Sequence, residues 1–587
     1  MPRFRSTLAT IWRLAYPYFY AEDRLAGRIL LAAVLAIELA TIGINVLINQ
    51  WNNAFYDAVQ ERNWDVFVWQ LEYFTMLAVS FVVFKVYQLY LQQWLLIRWR
   101  QWMTVQYLER WISNANHYRM QLLGDAADNP DQRIAEDVKQ FIDAGRMTNI
   151  GILPIGLGLL NSIVTLVSFA IILWNLSDEA PLHIFGTTLA IPGYLFWAAL
   201  IYAIIGTALT HFVGRALIAL NFQQQRYEAD FRFNLVRVRE NSEQIALLEG
   251  EGVERNRLLT RFGNVVINWM AIMSRQKKLT FLTAGYGQIS AVFPYVVVSP
   301  AYFAGKMQLG GLMQTASAFD SVQSALSFFI NVYAQMAEWR AVVERLAGFD
   351  ESIAAAKAAA NTPPVIALTP GDAGAVTFKD LAVRLPNGMP LVNAGNLSIK
   401  PGERVLVSGP SGAGKSTLFR ALAGVWPFGE GTITVPKNAR VMIMPQRPYF
   451  PIAPLAAAVA YPAEPGSFDA GKVAELITAV GLPALAARIE EEAHWNRMLS
   501  LGEQQRLGIA RALLYAPDFL FLDEATASLD EPAEAALYKL LDQKLPKTTI
   551  VSIGHRATLA AFHQRRLAFN REGDHYAVRE ADLLSAG

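Results

Sequence analysis

The sequence contains no cysteine among its 587 residues, which excludes disulfide bonds, zinc–thiolate sites and thiol catalysis. Charge is also scarce, because only 17% of the residues are Asp, Glu, Lys or Arg and the formal net charge is +1. A balanced charge of this kind gives no reason to expect a nucleic-acid partner. Hydrophobic residues make up 53% of the chain, which predicts a membrane component.

The N-terminal stretch MPRFRSTLATIWRLAYPYFY lacks the uninterrupted apolar core and the cleavage site of a signal peptide, because Arg13 interrupts it. We predict an interfacial amphipathic helix there. Apolar runs and most tryptophans then give way to a composition typical of soluble α/β proteins. We predict a transmembrane domain over 1–349, a linker rich in Ala, Pro and Gly over 350–375, and a soluble domain over 376–587.

Six apolar stretches approach the roughly 20 residues that a membrane-spanning helix needs. The sixth is the weakest, because Gln314, Asp320 and Gln323 interrupt it. Such a helix suits a water-filled pathway, and it equally suits a helix buried among its neighbours. The predicted spans are 29–48, 74–97, 150–174, 184–213, 279–303 and 312–336.

Lys and Arg are concentrated in residues 98–146 and 214–278, whereas the alternate loops hold only Arg62 and Lys306. Because basic loops remain in the cytoplasm, we predict that both basic segments and both termini are cytoplasmic. The polar stretch NPDQRIAEDVKQF, residues 129–141, falls on the same side. We predict that it docks on the soluble domain and transmits its movement; the alternative is a solvated helix end.

Three charged residues interrupt the predicted spans: Glu38, Lys85 and Asp320. Unpaired burial in a bilayer is costly, so such residues either serve a polar pathway or a proton-sensitive site, or are paired or reach the headgroups. Glu38 and Asp320 are the better candidates for a transport path.

A phosphate-binding motif opens the soluble domain. RVLVSG is typical of a strand, and it leads into Gly409-x4-Gly414-Lys415-Ser416 and a helical pattern. The loop N–H groups would surround phosphates, Lys415 would reach the terminal ones and Ser416 would bind magnesium. We therefore predict ATP and Mg²⁺ as cofactors, with nucleotide-binding residues Gly409, Pro410, Ser411, Gly412, Ala413, Gly414, Lys415, Ser416 and Thr417.

Three further strand ends supply polar residues. FLFLDEATASLD gives a buried strand that ends in Asp523 and Glu524, and Gln446 and His555 each follow another apolar run. His555 alone would be an ordinary strand-end histidine, but in this order the four residues indicate ATP hydrolysis. The predicted catalytic residues are Glu524, His555 and Gln446, and the predicted magnesium ligands are Ser416, Gln446 and Asp523.

The segment LSLGEQQRLGIARALL, residues 499–514, completes a set that resembles the ATP-binding cassette (ABC) family over the whole soluble half. The resemblance implies that Ser500, Gly502 and Glu503 cap the ATP held by another subunit, with Asp530 in the neighbouring D-loop. It also implies an exporter-type fold: a six-helix transmembrane domain fused to a cytoplasmic α/β P-loop domain. One cassette and six helices make a half-transporter, for which a homodimer is the economical assembly.

Two positions depart from the common ABC pattern. Leu501 replaces the second signature glycine, and we expect little loss if Ser500 and backbone N–H groups make the contacts. Leu385, in VRLPNG, lies near the place where many ABC proteins stack an aromatic ring on adenine. Adenine stacking should therefore be weak or supplied elsewhere.

Four phrases look like bacterial ABC proteins related to the SbmA/BacA uptake family, and like the peroxisomal acyl-CoA transporters of the ABC D subfamily. They are NPDQRIAEDVKQF, RVRENSEQIALLEGE, AEWRAVVERLAGF and WNRMLSLGEQQRL. The resemblance covers nearly the whole chain. It implies a fold that works as an importer of peptides, cobalamin and other bulky hydrophilic compounds in several relatives, driven here by ATP.

The leading hypothesis is an ATP-driven homodimeric transporter of a bacterial inner membrane that imports a peptide or small molecule. The alternatives are an exporter or flippase of lipids or drugs, an acyl-CoA-type transporter, and a nucleotide-gated protein that does not pump. The last is disfavoured because Glu524 and His555 are both present. A soluble ABC ATPase acting on nucleic acid disagrees with six spans.

Overall fold

The computed structural model describes residues 2–124, 129–143, 145, 150–179, 182–184, 187–189 and 191–582. The described residues fall into two compact units. The helical unit contains the described residues of 1–108 and 129–348. The sheet unit contains those of 109–128 and 349–587. Each unit is described separately below.

The first part of the chain is almost entirely helical. Its helices are α1 Pro2–Ala15, α2 Arg24–Gln60, α3 Trp64–Ile112, α4 Asn116–Leu122, α5 Pro130–Gln132, α6 Val138–Ile142, α7 Ile152–Glu179, α8 Tyr194–Glu240, α9 Ser242–Leu247, α10 Glu251–Phe303 and α11 Leu309–Ala359. A π-helical turn, Arg133–Asp137, joins α5 to α6, and 3-10 turns cover Tyr16–Tyr20 and Ser113–Ala115. Strands β1 Leu182–Ile184 and β2 Thr187–Leu189 form an antiparallel pair before α8.

The long helices exceed what a bilayer requires. Helix α10 has 53 residues and is therefore about 80 Å long, against a hydrocarbon core of about 30 Å. Within the described residues, α2, α3, α7, α8 and α10 are long and apolar enough to cross a membrane. The sixth predicted span lies in α11, which is not among those five, in keeping with the polar residues that interrupt it.

The fourth predicted span, 184–213, begins too early. Helix α8 starts only at Tyr194, after β2 and the Pro192–Gly193 turn. Gly193 adopts a left-handed φ of +67°, and a Cβ there would lie 2.3 Å from the Trp174 ring. The hydropathy pattern missed this boundary because the segment from 184 to the start of α8 is apolar enough on average to be counted with the helix.

The polar stretch 129–141 is held by contacts within the helical unit, and its docking on the soluble domain stays a prediction. Its described contacts lie inside the helical unit, where Arg345 donates to the buried Asp137 carboxylate at 2.6 and 2.9 Å. The indole N–H of Trp339 donates to the Phe141 carbonyl at 2.9 Å. The alternative of a solvated helix end does not describe Asp137, which is 1% exposed and paired with Arg133 and Arg345.

The stretch that groups with the sheet unit is instead the one before it, from Glu109 through α4. Leu122, in the last turn of α4, packs against the core of the sheet unit, and Arg110 pairs with Asp350 at 3.0 Å. Residues 109–124 therefore belong to the sheet unit, although they continue α3 of the helical part of the chain.

The predicted linker, 350–375, is largely structured. Helix α11 continues to Ala359 because the run AAAKAAA consists of strong helix formers. Strand β3, Ala367–Gly371, then pairs with the sheet. Only 360–366 separate the helix from the strand.

The sheet unit alternates strands and helices. Its further strands are β4 Val376–Arg384, β5 Pro390–Ile399, β6 Arg404–Ser408, β7 Gly429–Pro436, β8 Val441–Met444, β9 Ala453–Pro454, β10 Glu492–Ala493, β11 Phe519–Asp523, β12 Thr549–Ile553, β13 Arg565–Glu572 and β14 His575–Ala581. Its further helices are α12 Lys415–Leu422, α13 Leu455–Ala460, α14 Ala470–Ala479, α15 Pro483–Ala486, α16 Trp495–Met498, α17 Leu501–Tyr515 and α18 Glu531–Lys544, with a 3-10 turn over Ala557–Phe562.

Ten strands form one mixed sheet in the order β3-β7-β4-β5-β14-β13-β6-β12-β11-β8. The four strands β6, β12, β11 and β8 are neighbours and run parallel. Strands β11 and β12 are buried almost throughout, which explains their continuous apolar runs. Parallel neighbours bring their carboxyl ends to one edge of the sheet, where ligands bind in open α/β sheets.

Candidate functional site

The carboxyl edge of these parallel strands gathers the predicted site. Strand β6 leads into the glycine-rich loop, and β11 ends at Asp523. Gln446 lies two residues after β8, and His555 lies two residues after β12. The sequence predicted that these residues follow four separate strands. The sheet order shows that the four strands are neighbours, so their carboxyl ends lie side by side.

The glycine-rich loop, 409–417, has the backbone of a phosphate cradle. Gly409 and Gly414 take φ values of +151° and +88°, and a Cβ on Gly414 would lie 2.5 Å from Val392. The buried Lys415 side chain bends back over the loop and donates to the Gly409 and Pro410 carbonyls at 2.9 and 2.8 Å. This holds an ammonium group against the glycine-rich loop, where it can contact the phosphates of a nucleotide.

The two residues predicted to bind magnesium, Ser416 and Asp523, are also brought together. The Ser416 hydroxyl donates to Asp523 Oδ1 at 2.7 Å. Burial raises the pKa of Asp523, against the opposing Ser416 hydrogen bond, and burial lowers the pKa of Lys415, against the nearby Glu524 and Asp523 carboxylates. A metal ion and a phosphate would reverse both shifts. One carboxylate and one hydroxyl suit Mg²⁺, which keeps water and phosphate oxygens as its other ligands.

The predicted catalytic side chains meet at Glu524. Its carboxylate accepts from Gln446 Nε2 at 3.1 Å and lies 3.2 Å from His555 Nε2. Glu524 has a left-handed φ of +49°, which costs about 1–2 kcal/mol for a non-glycine residue. Among the described residues no hydrogen bond joins Gln446 to Ser416 or Asp523, so the catalytic and metal sets meet through consecutive residues of β11 and the turn after it.

The signature segment forms a capped helix end. The Ser500 hydroxyl and the Glu503 carboxylate cap α17 reciprocally, and the Ser500 side chain is exposed. Asp530 caps the N-terminus of α18, where its carboxylate accepts from the Ala533 N–H at 3.0 Å. Leu501 is the first residue of α17, and a Cβ on Gly502 would lie 3.3 Å from Leu529. This exposed helix N-terminus suits a phosphate once the Ser500 hydroxyl, which donates to Glu503 at 2.8 Å, turns towards it.

Leu385 lies in the turn between β4 and β5. Its N–H donates to the Met389 carbonyl at 2.8 Å, and its half-buried side chain packs against the sheet core. The position therefore holds an aliphatic side chain committed to the core, and the weak adenine stacking stays a prediction.

Gln505 is a site residue that the sequence reasoning missed. Its side chain is 1% exposed and donates to the backbone carbonyls of Gln446 at 3.0 Å and Glu524 at 3.3 Å. Its oxygen accepts from the Ser528 N–H at 3.0 Å. One amide thus holds the signature helix, the Gln446 loop, the catalytic turn and the segment leading to Asp530 together. No motif indicated it, because only packing shows which glutamine of a helix faces inward.

We expect Gln505→Met to lower kcat for ATP hydrolysis about tenfold, which corresponds to an activation free energy higher by roughly 1.4 kcal/mol. The substitution keeps the side chain's length but leaves two carbonyls and one N–H without their buried partner. Steady-state ATPase kinetics on the purified protein would measure the change, with ATP binding altered much less than kcat. The control is Gln543→Met, which changes an exposed glutamine on α18. Equal loss of kcat and ATP binding would show that Gln505 only supports the fold.

The two transport-path candidates lie in different surroundings. Glu38 on α2 is 5% exposed and accepts from Asn161 on α7 at 2.5 Å and from Gln88 on α3. Lys85 donates to the Gln88 oxygen at 3.1 Å. This cluster joins three helices, and its two amide side chains hydrogen-bond to Glu38 and Lys85, the charged residues that interrupt two predicted spans. A role for Glu38 in transport stays a prediction.

Asp320 on α11 is exposed and lines a cavity between α2, α10 and α11. It lies eleven residues after the start of α11, or about 16 Å along a helix, and inside the predicted span 312–336. A carboxylate facing lipid at that depth costs about 2.5–3.5 kcal/mol on insertion scales. The exposed face of Asp320 therefore belongs to a wet or protein-covered surface.

A phosphate cradle with its catalytic carboxylate, in a chain with long membrane-crossing helices, defines an ATPase that works in a membrane. Comparison with known proteins gives the family. Residues 14–303 match the family described as ABC transporter transmembrane region 2, and residues 392–527 match the family described as ABC transporter.

The chain is 34% identical to the Inner membrane ABC transporter ATP-binding protein YddA of Escherichia coli, over 94% of this chain and 96% of the relative. It is 24% identical to the human Lysosomal cobalamin transporter ABCD4, over 96% and 94%. The chain therefore belongs to the ABC transporter family, as a half-transporter of the D-subfamily type whose ATP hydrolysis is coupled to transport.

The fold is similar to the solved structure of a bacterial Atm1-family ABC exporter with ATP bound. The TM-score is 0.68 with 17% sequence identity, and the match covers 95% of both chains. This confirms the predicted exporter-type fold with its P-loop domain, and it is a likeness of fold alone.

Proposed function

We propose that this protein is a homodimeric importer of a bacterial inner membrane that takes up bulky hydrophilic compounds such as peptides or cobalamin. Magnesium-bound ATP would be held by the glycine-rich loop, Ser416 and Asp523 of one copy and capped by Ser500 of its partner. The observation that carries the ATP-driven part is the convergence of Gln446 and His555 on Glu524. A chain with this group complete is built to hydrolyse ATP, which disfavours a nucleotide-gated protein that does not pump.

Polar groups along the membrane helices support a hydrophilic cargo. Helix α2 presents Asn52 and Tyr56 to the cavity that Asp320 lines, and its neighbours Asn49 and Asn53 donate to Gln314 at 3.0 and 2.6 Å. The printed name of the human relative supports cobalamin as one candidate. Export of lipids or drugs, and transport of acyl-CoA, remain the alternatives.

The test is uptake into bacteria that lack their own cobalamin and peptide importers. Labelled cobalamin and a proline-rich peptide are offered to cells that carry the parent protein, Glu524→Gln or Glu475→Gln at matched expression. Glu475 is exposed on α14, and its replacement by glutamine removes the same charge as Glu524→Gln does. We expect accumulation with the parent protein and Glu475→Gln, and little with Glu524→Gln.

If neither compound enters the cells while the purified protein hydrolyses ATP, import of these compounds is wrong. Efflux or lipid flipping would then be the leading function. Uptake that persists in Glu524→Gln would instead contradict ATP as the driving force.

A further inference from the structure

The cavity beside Asp320 has a volume of about 320 Å³ and a mixed lining. Its apolar part consists of Ala291, Pro294, Met313 and Ala316. Its polar part consists of Asn52, Tyr56, Ser290, Tyr295, Ser317 and Asp320. Asp320 supplies the one charge among these lining residues, so the cavity has a single negative group amid hydroxyls, an amide and two aromatic rings.

Among the described residues, no ion pair or hydrogen bond involves the Asp320 carboxylate. The ion pairs described on α11 involve Arg340, Arg345 and Asp350, all farther along the helix. The hydroxyl of Ser290 donates to Gln323, and that of Tyr295 lies 3.8 Å from the Met313 sulfur. These hydroxyl hydrogens therefore point at other acceptors, and the Asp320 oxygens are free to accept from a ligand.

We propose that this cavity is a subsite for one ammonium or guanidinium group of the transported compound, recognised by the Asp320 carboxylate. The inference rests on the proposed transport function and adds the charge class of the cargo. An ionised carboxylate accepts charge-assisted hydrogen bonds from such a group, and guanidinium can engage both of its oxygens. The rings of Tyr56 and Tyr295 can add cation–π attraction.

The size of the cavity sets how much of the cargo it takes. Ligand pockets commonly measure about 300–1,000 Å³, so this one is at the small end. It accommodates one residue-sized basic group of a larger compound, such as an arginine or lysine side chain of a peptide. A polyanion such as an acyl-CoA would meet like-charge repulsion here, which favours basic peptides over that alternative.

The test is equilibrium binding, because binding does not depend on transport. A fluorescent arginine-containing tripeptide and its citrulline counterpart, which replaces the guanidinium by a neutral urea of similar shape, are titrated into the full-length protein in lipid nanodiscs without nucleotide. We expect the parent protein to bind the arginine peptide at least about tenfold more tightly, as one charged hydrogen bond provides. Asp320→Asn should remove this preference without changing citrulline binding, and Asp320→Glu should retain it.

A preference that survives Asp320→Asn overturns the proposal, as does failure of the parent protein to distinguish the two peptides. Equal loss of both peptides in Asp320→Asn, with the oligomeric state changed on gel filtration, would make Asp320 a structural residue and also overturns it. Measuring ATP-driven movement of the same two peptides in proteoliposomes tests the transport function separately from binding at the subsite. If the binding preference is present but ATP moves neither peptide, the subsite stands and the transport proposal fails.

Discussion

Replacing Glu524 by glutamine should reduce ATP hydrolysis by at least about a hundredfold while leaving ATP binding within a few-fold of the parent value. Positioned acid–base groups of this kind contribute about 10²–10⁴-fold to a rate. The amide keeps the size of the side chain and can still contact Gln446 and His555, which lie 3.1 and 3.2 Å from the carboxylate. What it loses is the negative charge that polarises water. Steady-state phosphate release and nucleotide binding measure the two quantities separately.

Glu475→Gln is the matched control, because it removes one carboxylate from an exposed position on α14. It should hydrolyse ATP at the parent rate. A Glu524→Gln protein that retains a tenth or more of the parent activity would show that another group serves the attacking water, and the assignment of Glu524 would be wrong.

A mixed dimer should recover activity that neither of its parent variants has. Ser500→Arg places a bulky cation at the exposed N-terminus of α17, where the homodimer model puts the partner's phosphates. Homodimers of Ser500→Arg and of Glu524→Gln should both be inactive. In a dimer of one chain of each, one site combines an intact Glu524 with the partner's intact Ser500. Two different affinity tags allow this dimer to be isolated and its ATPase rate measured.

We expect the mixed dimer to reach up to half of the parent rate, since one of its two sites is complete. The control is a mixed dimer of two differently tagged Glu524→Gln chains, which should stay inactive. If the Ser500→Arg and Glu524→Gln pair is as inactive as its homodimers, the site is completed within one chain and the head-to-tail arrangement is wrong.

The ATP site was predictable from sequence because its residues belong to short motifs fixed to the ends of buried strands. Asp523 follows an apolar run that can only be a central strand, and the loop before Lys415 follows another. Once such strands are parallel neighbours, their next residues share an edge, as Glu524 and His555 do. Gln505 escaped this reasoning, because its role depends on which side of α17 is buried.

The membrane half was less predictable, because apolar composition carries no information about where a helix begins or what it touches. Hydropathy merged β2 and the start of α8 into one span, although the turn at Gly193 separates the strand from the helix. The polar pattern of 129–141 gave no sign that Asp137 is 1% exposed and bound by Arg345. Glu38 and Asp320 looked alike in sequence, yet the first is enclosed by two amides and the second lines a cavity.

The most direct test of ATP-driven import uses purified protein in sealed liposomes loaded with the labelled proline-rich peptide. ATP and Mg²⁺ added outside reach only molecules whose cassettes face outward, and for these the lumen corresponds to the periplasm. Import therefore predicts ATP-dependent loss of peptide from the lumen, absent with Glu524→Gln and present with Glu475→Gln. Accumulation in the lumen of peptide supplied outside, or hydrolysis of ATP with no movement of peptide in either direction, would contradict import.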